Sequence, residues 1–413
     1  MKQLFINTVV AMDEQAFEVV ERKSVGHPDT VADGIAEAIS IEYSRFCLDN
    51  FGAVLHHHLD KSLIMGGRAK IGFGIGEMER PFRLNINGRM SSRFGNTKID
   101  YKMLQESVAK KYLKQIFPNF NTEKWLKINS YTTAYSRSPV WYRPRCLDDL
   151  PELDKPYVND SSAIVGYWPL SVTERLVLKM EKFFYNSDNS PKFDYIGQDI
   201  KILAVRNKKN IELTLCVPFM SIKIPNKAFY FEKLKEIESQ LTKLAHKFVG
   251  DAFGIKIFLN TQDRVLFEGP KKGTSHYFVV SGSALDYGEE GVVGRGNRSR
   301  GLISCARPFS TDAICGKNPA FHVGKVYAYF AEQISKRISE ELGCECLVIL
   351  VTQNKNPISE PQKVVVNITK RVDNKKIEKI VKEELVKRDW VEKIIKGKYF
   401  LPLPGGTYGY QES

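Results

Sequence analysis

From residue 288 to 325 the chain reads G-E-E-G-V-V-G-R-G-N-R-S-R-G-L-I-S-C-A-R-P-F-S-T-D-A-I-C-G-K-N-P-A-F-H-V-G-K, and this is the segment that constrains it most. It packs glycines among cations, as a site for several phosphates at once requires. Gly288, Gly291, Gly294, Gly296 and Gly301 let the backbone come close to a ligand and reach positive φ. Arg295, Arg298, Arg307, Lys317 and Lys325 supply forks and point charges for phosphate oxygens. Glu289 and Glu290 stand beside them, where carboxylates suit a metal ion or the cationic group of a second substrate. The alternative is a solvated basic loop.

A chain of 413 residues with an ordinary apolar fraction predicts two or three compact units with a sizeable core. No apolar run reaches about 18 residues, and the first residues lack a long apolar region with a small-residue cleavage site, so a cytoplasmic protein without a membrane partner is expected. The seven cysteines are scattered, with Cys344 and Cys346 one residue apart and no second pair at zinc-like spacing, which favours reduced thiols. A formal net charge of +13 points to nucleic acid, an acidic membrane surface or a polyanionic small substrate. Much of the excess lies in 370–398, where Ile377, Ile380, Val381, Leu385, Trp390 and Ile394 fall at roughly helical spacing. An amphipathic surface helix with a solvated lysine face is expected there.

Three portions mix strand-like and helical patterns, with soft boundaries at 1–150, 151–250 and 251–413, and the first is expected to be a discontinuous subdomain. In the first, 17–23 reads as a strand, His27-Pro28-Asp29 turns into a helix, and 54–66 returns as a strand. Backbone N–H groups at such a helix start favour anions, and Asp29 either caps the helix or faces a metal. In the second, 202–205 and 211–217 form a hairpin, and 227–249 is an amphipathic helix. The third alternates a strand at 278–280, the glycine-rich loop, a helix over 322–342 and a strand over 346–353. The class is α+β. There is no strict repeat, although each third has similar content.

No P-loop, no Rossmann-type G-x-G-x-x-G opening a helix and no kinase signature is present. Present instead, in order, are E-R-K-S-V-G-H-P-D-T-V-A-D-G-I-A-E-A from Glu21, N-D-S-S-A-I-V-G-Y from Asn159, D-I-K from Asp199, and V-G-R-G-N-R with G-K-N-P-x-x-H-V-G-K. Together these resemble the archaeal-type S-adenosylmethionine synthetases, the methionine adenosyltransferases. The resemblance implies three similar α/β subdomains with mixed sheets in pseudo-threefold symmetry. It implies ATP and L-methionine as substrates, Mg²⁺ and K⁺ as cofactors, and a homodimer with active sites at the subunit interface. It also implies the reaction: methionine sulfur attacks ribose C5′ of ATP, and the triphosphate released is hydrolysed to diphosphate and phosphate. A thioether has no proton to lose, so the enzyme must position it and stabilise a tetra-anionic leaving group.

Position by position, the resemblance places His27 against the leaving oxygen and triphosphate, Asp29 on magnesium and Glu21 near the adenosine. Asp160 and Ser161 fall in the N-D-[ST]-S active-site segment, and Lys201 matches a triphosphate-binding lysine, with Asp199 expected on the same strand face. Glu289 matches the carboxylate that binds the methionine ammonium; Arg295 and Lys317 match phosphate-gripping cations; Arg298, Lys325 and His322 join the binding set. His322 also reads as a structural histidine at a helix start. His56, His57 and His58 resemble the archaeal H-H-N-T-D-Q, and alternation along a strand makes a three-histidine metal site geometrically poor.

One departure stands out. The usual T-S-A-E-x-G-D-D-G is S-A-L-D-Y-G-E-E-G here, replacing two aspartates by Glu289 and Glu290 and moving the nearby acid to Asp286. One methylene shifts a carboxylate by more than about 1 Å, enough to alter an ammonium contact. Two other readings are an ATP-dependent adenosyl or phosphoryl transferase with an altered substrate, and a nucleic-acid-binding protein. R-G-N-R-S-R is interleaved with glycines and acids and lacks nearby stacking aromatics, which speaks against nucleic acid.

Overall fold

The computed structural model describes residues 3–150, 152–185, 192–264 and 276–406. The strands of the three principal sheets are β1 (Gln3–Thr8), β2 (Phe17–Lys23), β3 (Leu63–Met65), β4 (Phe82–Ile86), β5 (Leu126–Ser130), β6 (Ala163–Trp168), β7 (Lys201–Asn207), β8 (Asn210–Cys216), β9 (Gly254–Leu259), β10 (Glu290–Val292), β11 (Ile303–Ser304), β12 (Cys346–Val351) and β13 (Lys363–Ile368). The main helices are α1 (Pro28–Phe51), α2 (Tyr101–Ile116), α3 (Val172–Tyr185), α4 (Lys227–Val249), α5 (Val323–Leu342), α6 (Asn374–Leu385) and α7 (Trp390–Lys396).

The strand orders are β5-β4-β3-β10, β9-β8-β7-β2-β11 and β1-β13-β12-β6. Each order opens with a parallel pair and continues antiparallel. A touching pair of helices accompanies each sheet: α1 with α2, α3 with α4, and α5 with α6. The sheets do not follow contiguous thirds of the chain. Strand β2 precedes α1 yet pairs in the sheet backed by α3; β6 precedes α3 yet pairs in the sheet backed by α5; β10 precedes α5 yet pairs in the sheet backed by α1. The boundaries 1–150, 151–250 and 251–413 therefore cut through every sheet, because each one is completed by a strand from a remote segment.

Side-chain alternation places the site. Along β2 and β7, Val20, Arg22, Ile202, Ala204 and Arg206 are buried against α3 and α4, while Glu21, Lys23, Lys201 and Leu203 face outward, half-buried. Three inner helices each carry a buried glutamate as their tenth residue. Glu37 pairs with Lys325 (2.6 Å), Glu181 with Arg22 (2.9 Å) and Glu332 with Arg300 (2.6 Å). Breaking such a pair leaves an uncompensated charge in a dry interior, an effect of about 3–5 kcal/mol.

Some local expectations change. Residues 54–66 hold two short strands, His57–His58 and Leu63–Met65, instead of one. The strand expected at 278–280 covers Phe278–Val279 alone. The basic stretch 370–398 forms two helices, α6 and α7. From Leu385 to Trp390 the apolar spacing slips to five residues, which in one continuous helix would turn Trp390 about 140° off the apolar face. The break lets Trp390 turn inward, where its indole N–H donates to Pro319 O at 3.1 Å. The three histidines diverge: His56 meets Glu152, His57 Nε2 lies 2.8 Å from Ser40 Oγ, and His58 faces the Tyr142 hydroxyl at 3.2 Å. Among the described residues no group of three or more His, Cys, Asp or Glu is placed to hold a metal. The seven cysteines are free thiols.

Candidate active site

Helix α1 begins at a turn that β2 delivers. His27 is its N-cap, with ring Nδ1 accepting the Asp29 N–H at 3.2 Å, and Pro28 occupies the first helical position, where a missing N–H does no harm. Capping thus falls to His27 and frees Asp29. The Asp29 carboxylate accepts from Lys23 Nζ (3.0 Å) and from the Val292 N–H (3.0 Å). Because Nδ1 is an acceptor, the neutral ring carries its proton on Nε2. Burial, reinforced by Lys23 and Lys201, lowers the His27 pKa to about 4 against the opposing pull of Asp29.

The glycine-rich loop is seated on this helix start. A Cβ at Gly291 would lie 1.8 Å from Pro28 O, and one at Gly296 would lie 2.2 Å from Asp33 Oδ2. The Gly294 N–H donates to Asp33 Oδ1 at 2.8 Å, and Asn297 clamps the Lys23 backbone from both sides, at 3.0 and 2.7 Å. This corrects the expected purpose of these glycines. They admit the loop to helix α1, and the Val292 and Gly294 N–H groups serve Asp29 and Asp33. The loop's cations are sorted by the same packing. Arg295 is exposed, and its carbonyl accepts from Lys23 Nζ at 2.9 Å. Arg298 bends back onto Gly294 O, with its guanidinium 5.8 Å from the Phe309 ring centre.

Lys201 opens β7 directly opposite Lys23 of β2, and its ammonium lies 3.4 Å from Glu21. Like charges opposed across two strands destabilise a sheet unless an anion or carboxylate lies between them. Asp199 precedes the strand and does not share the outward face of Lys201. It is buried, accepts the Ala284 N–H at 2.8 Å, and is pushed up to about 7 by burial, with Glu289 adding to the rise. The Glu289 carboxyl is also raised, by burial first and then by Glu290 and Asp29, while Lys201 opposes. Asp286 turns inward to the Val280 and Ser281 N–H groups and is raised by burial to about 6. His27, Asp199, Lys201 and Glu289 line one cavity of about 570 Å³ together with Cys216, Asn260, Asp263, Tyr277 and Tyr287.

The other expected residues gather elsewhere. Lys317 is buried and paired with Asp312 at 3.0 Å, and the Ser162 hydroxyl donates to the same carboxylate. His322 caps α5 by accepting the Gly324 N–H at 3.4 Å, and burial followed by the Lys317 charge lowers its pKa well below the usual imidazole range. Asp160 and Ser161 are exposed; Ser161 Oγ accepts from the Asn354 N–H at 2.9 Å. The cavity beside Asp312 and Arg298 is only about 20 Å³, room for a water. Two expected residues join neither group. Lys325 is fully buried on Glu37, and Arg307 is buried between Glu174 (2.7 Å) and Glu345 (3.0 Å) over the Tyr167 ring. A phosphate at either would have to break an internal ion pair.

Sequence reasoning passed over Lys23, Asn297, Asp312, and the Asn260–Asp263 and Tyr277 side of the cavity. Lys23 and Asn297 sit inside the quoted motifs. N-T-Q-D at 260–263, following a strand, is a turn signal that could have marked the cavity rim. Asp312 carries no local signal.

The family described as S-adenosylmethionine synthetase (AdoMet synthetase) matches residues 4–398. A Streptococcus pyogenes protein called uncharacterized is 35% identical over 375 residues, covering 90% of each chain. The Pyrobaculum aerophilum S-adenosylmethionine synthase is 33% identical over 380 residues, covering 89% of this chain and 91% of that one. A solved structure, described as an unusual S-adenosylmethionine synthetase from Campylobacter jejuni, superposes with a TM-score of 0.56 at 15% identity over 94% of this chain and 90% of the other. With the motif order, the helix-start site and a match along nearly the whole length, the chain belongs to the S-adenosylmethionine synthetase family.

Proposed function

We propose that the cavity bounded by His27, Lys201, Asp199 and Glu289 is where this chain, a methionine adenosyltransferase, joins ATP to L-methionine. The convergence of those four residues on one space of about 570 Å³ carries the reading. The methionine sulfur forms a bond to C5′ as the C5′–O bond breaks, and the electron pair leaves on the triphosphate, which water then splits into diphosphate and phosphate. His27, neutral with its proton on Nε2, donates to the leaving oxygen. Lys201, Lys23 and Arg295 face the developing charge, which preorganised donors stabilise most where water is excluded. Glu289, left short of counter-charge by Glu290 and Asp29, takes the methionine ammonium, and Glu21 lies near the adenosine beside Lys201.

Asp29, with Glu289 and Glu290 as like-charged neighbours, fits a hard divalent cation held by one or two carboxylates and by substrate phosphates. Mg²⁺ bound there supplies neutralisation of phosphate charge. K⁺ enters this reading from the family resemblance alone. The group around Lys317, Asp312, Arg298, His322, Asp160 and Ser161 completes a site across a homodimer interface. One observation supports that: the outward face carrying Lys23 and Lys201 also presents Val19, Leu203, Val205, Phe258 and Ile303, half-exposed, with Phe17 at its edge. A second copy would cover this apolar surface. The shared strand pattern and the three buried glutamates support pseudo-threefold subdomains. Among the described residues no helix is long and apolar enough to cross a membrane, and the reading places the enzyme in the cytoplasm.

The test is to incubate the purified chain with ATP, methionine, Mg²⁺ and K⁺ and detect the sulfonium product by mass. Release of phosphate from ATP without that product would favour a phosphoryl transferase instead.

A further inference from the structure

A second cavity, of about 740 Å³, opens behind the glutamate loop, and its wall is cationic: Arg68, Arg80, Arg83 and Lys127 line it with Gly66, Gly67 and Tyr287. The strand register makes the placement deliberate. Arg83 of β4 lies directly opposite Lys127 of β5, and Arg68 lies opposite Arg80 in the hairpin Arg68–Gly72/Ile75–Arg80. Two like-charged cross-strand pairs destabilise the strands that carry them. Arg68 has Glu79 at 2.8 Å, but Arg80, Arg83 and Lys127 make no ion pair among the described residues. Glu290 shares this face in the same cross-sheet row, beyond Met65, and Asp286 turns its carboxylate onto the Val280 and Ser281 N–H groups. The floor is rigid. The Gly66 N–H donates to Glu289 O at 2.7 Å and the Gly67 N–H to Leu285 O at 2.9 Å, and a Cβ on Gly67 would meet Arg80 O at 2.1 Å.

We infer that this cavity binds a small oligophosphate anion, of the di- or triphosphate class, at a site separate from the cavity of His27 and Lys201. Arginine forks match phosphate oxygens two at a time, and a concave wall of one sign concentrates anions. An anion there removes the repulsion within both cross-strand pairs and lies directly behind the backbone that carries Glu289. The inference goes beyond the proposed reaction and is read by binding alone, so it stands or falls independently of catalysis.

The test is calorimetric titration of the full chain with inorganic tripolyphosphate, for wild type and for the double variant Arg83→Ala/Lys127→Ala. The number of bound anions per chain is expected to fall by one in the double variant, or that site's affinity by at least about tenfold, a change of 1.4 kcal/mol. Lys201→Ala is expected to leave the site intact. Arg80→Ala, an exposed change at a hairpin end, keeps the test valid if the double variant fails to fold; it should weaken the same site at least about threefold. Unchanged stoichiometry and affinity in the folded double variant, or in Arg80→Ala, overturns the inference. So does a wild-type chain whose only tripolyphosphate site disappears with Lys201→Ala.

Discussion

Helices α1 and α5 begin alike and end up with different work. Each is capped by a histidine whose Nδ1 accepts an N–H two residues on, each cap is half-buried, and each imidazole is driven toward its neutral form by burial and nearby lysines. After His27, which lines the cavity, comes Pro28-Asp29, and Asp29 is held there by Lys23 and the Val292 N–H. After His322 comes Val323-Gly324-Lys325, and Lys325 plunges into the interior to meet Glu37 on α1 itself. The same local cap therefore borders the candidate site at one helix and an internal ion pair at the other. What differs is what the first turn meets, the glycine-rich loop at α1 and another helix at α5, and the cap sequence does not contain that information.

The largest test of this contrast is Lys325→Met, which leaves Glu37 charged and unpaired at full burial. Unfolding in denaturant should show a loss of about 3–5 kcal/mol. A midpoint close to wild type would place Lys325 outside the structural group and reopen it as a phosphate ligand. On the other helix, Asp29→Asn should lower turnover at least about a hundredfold while the fold survives, since the amide oxygen can still accept from Val292. Steady-state kinetics together with a melting curve checks both halves. Lys201→Ala and Lys317→Ala should each lower kcat by at least about a hundredfold as well. If Lys317→Ala changes stability alone, its ion pair with Asp312 is its whole role and the second group is not part of the site.

Glu289 offers a finer test of the helix α1 side. Glu289→Gln should weaken methionine use by roughly 1.5–3 kcal/mol in kcat/KM with little change for ATP, because a charge-assisted bond to an ammonium is lost. Equal small losses for the two substrates would remove Glu289 from the amino-acid site. If the longer side chain is matched to its substrate, Glu289→Asp should change the ratio of kcat/KM between methionine and S-ethyl homocysteine.

The smallest effects are in pH dependence, and they have opposite signs. His27 has a lowered folded pKa, so the stability it contributes is present above about 6.5 and is lost as pH falls toward about 4. Asp199 has a raised folded pKa, so its contribution is complete below about 3.8 and is lost as pH rises through about 7. Across the window where both titrate, His27→Asn should remove a component of stability that rises with pH, and Asp199→Asn one that falls with it. Parallel pH–stability curves for wild type and a variant would show that the corresponding group is not perturbed in the fold.

Much of the candidate site was legible because its residues lie in short contiguous runs. His27, Asp29, Lys201 and Glu289 were singled out from three motifs, and they line or adjoin one cavity. Glycine was legible as a requirement but not as a purpose. Gly291 and Gly296 look like ligand-facing positions in a phosphate loop, whereas their missing side chains make room for Pro28 and Asp33 more than 250 residues away in sequence. Arg307 and Lys325 read as phosphate cations yet sit in internal ion pairs, for a related reason: charge is visible in a sequence, but the partner that neutralises it is not.

By itself the sequence determined the local elements that depend on near neighbours. The hairpin of β7 and β8, the amphipathic α4 and the proline-primed start of α1 follow from period-2 and period-3.6 patterning and from turn chemistry, which act over a few residues. Only the tertiary structure decided which strand completes which sheet, because β2, β6 and β10 each leave the helix that follows them for a sheet built elsewhere in the chain. Pairing energy depends on what lies alongside a strand, and nothing in the strand's own residues records that. The same long-range choice separated Lys201, which lines the cavity, from the cations held in buried ion pairs with the helices.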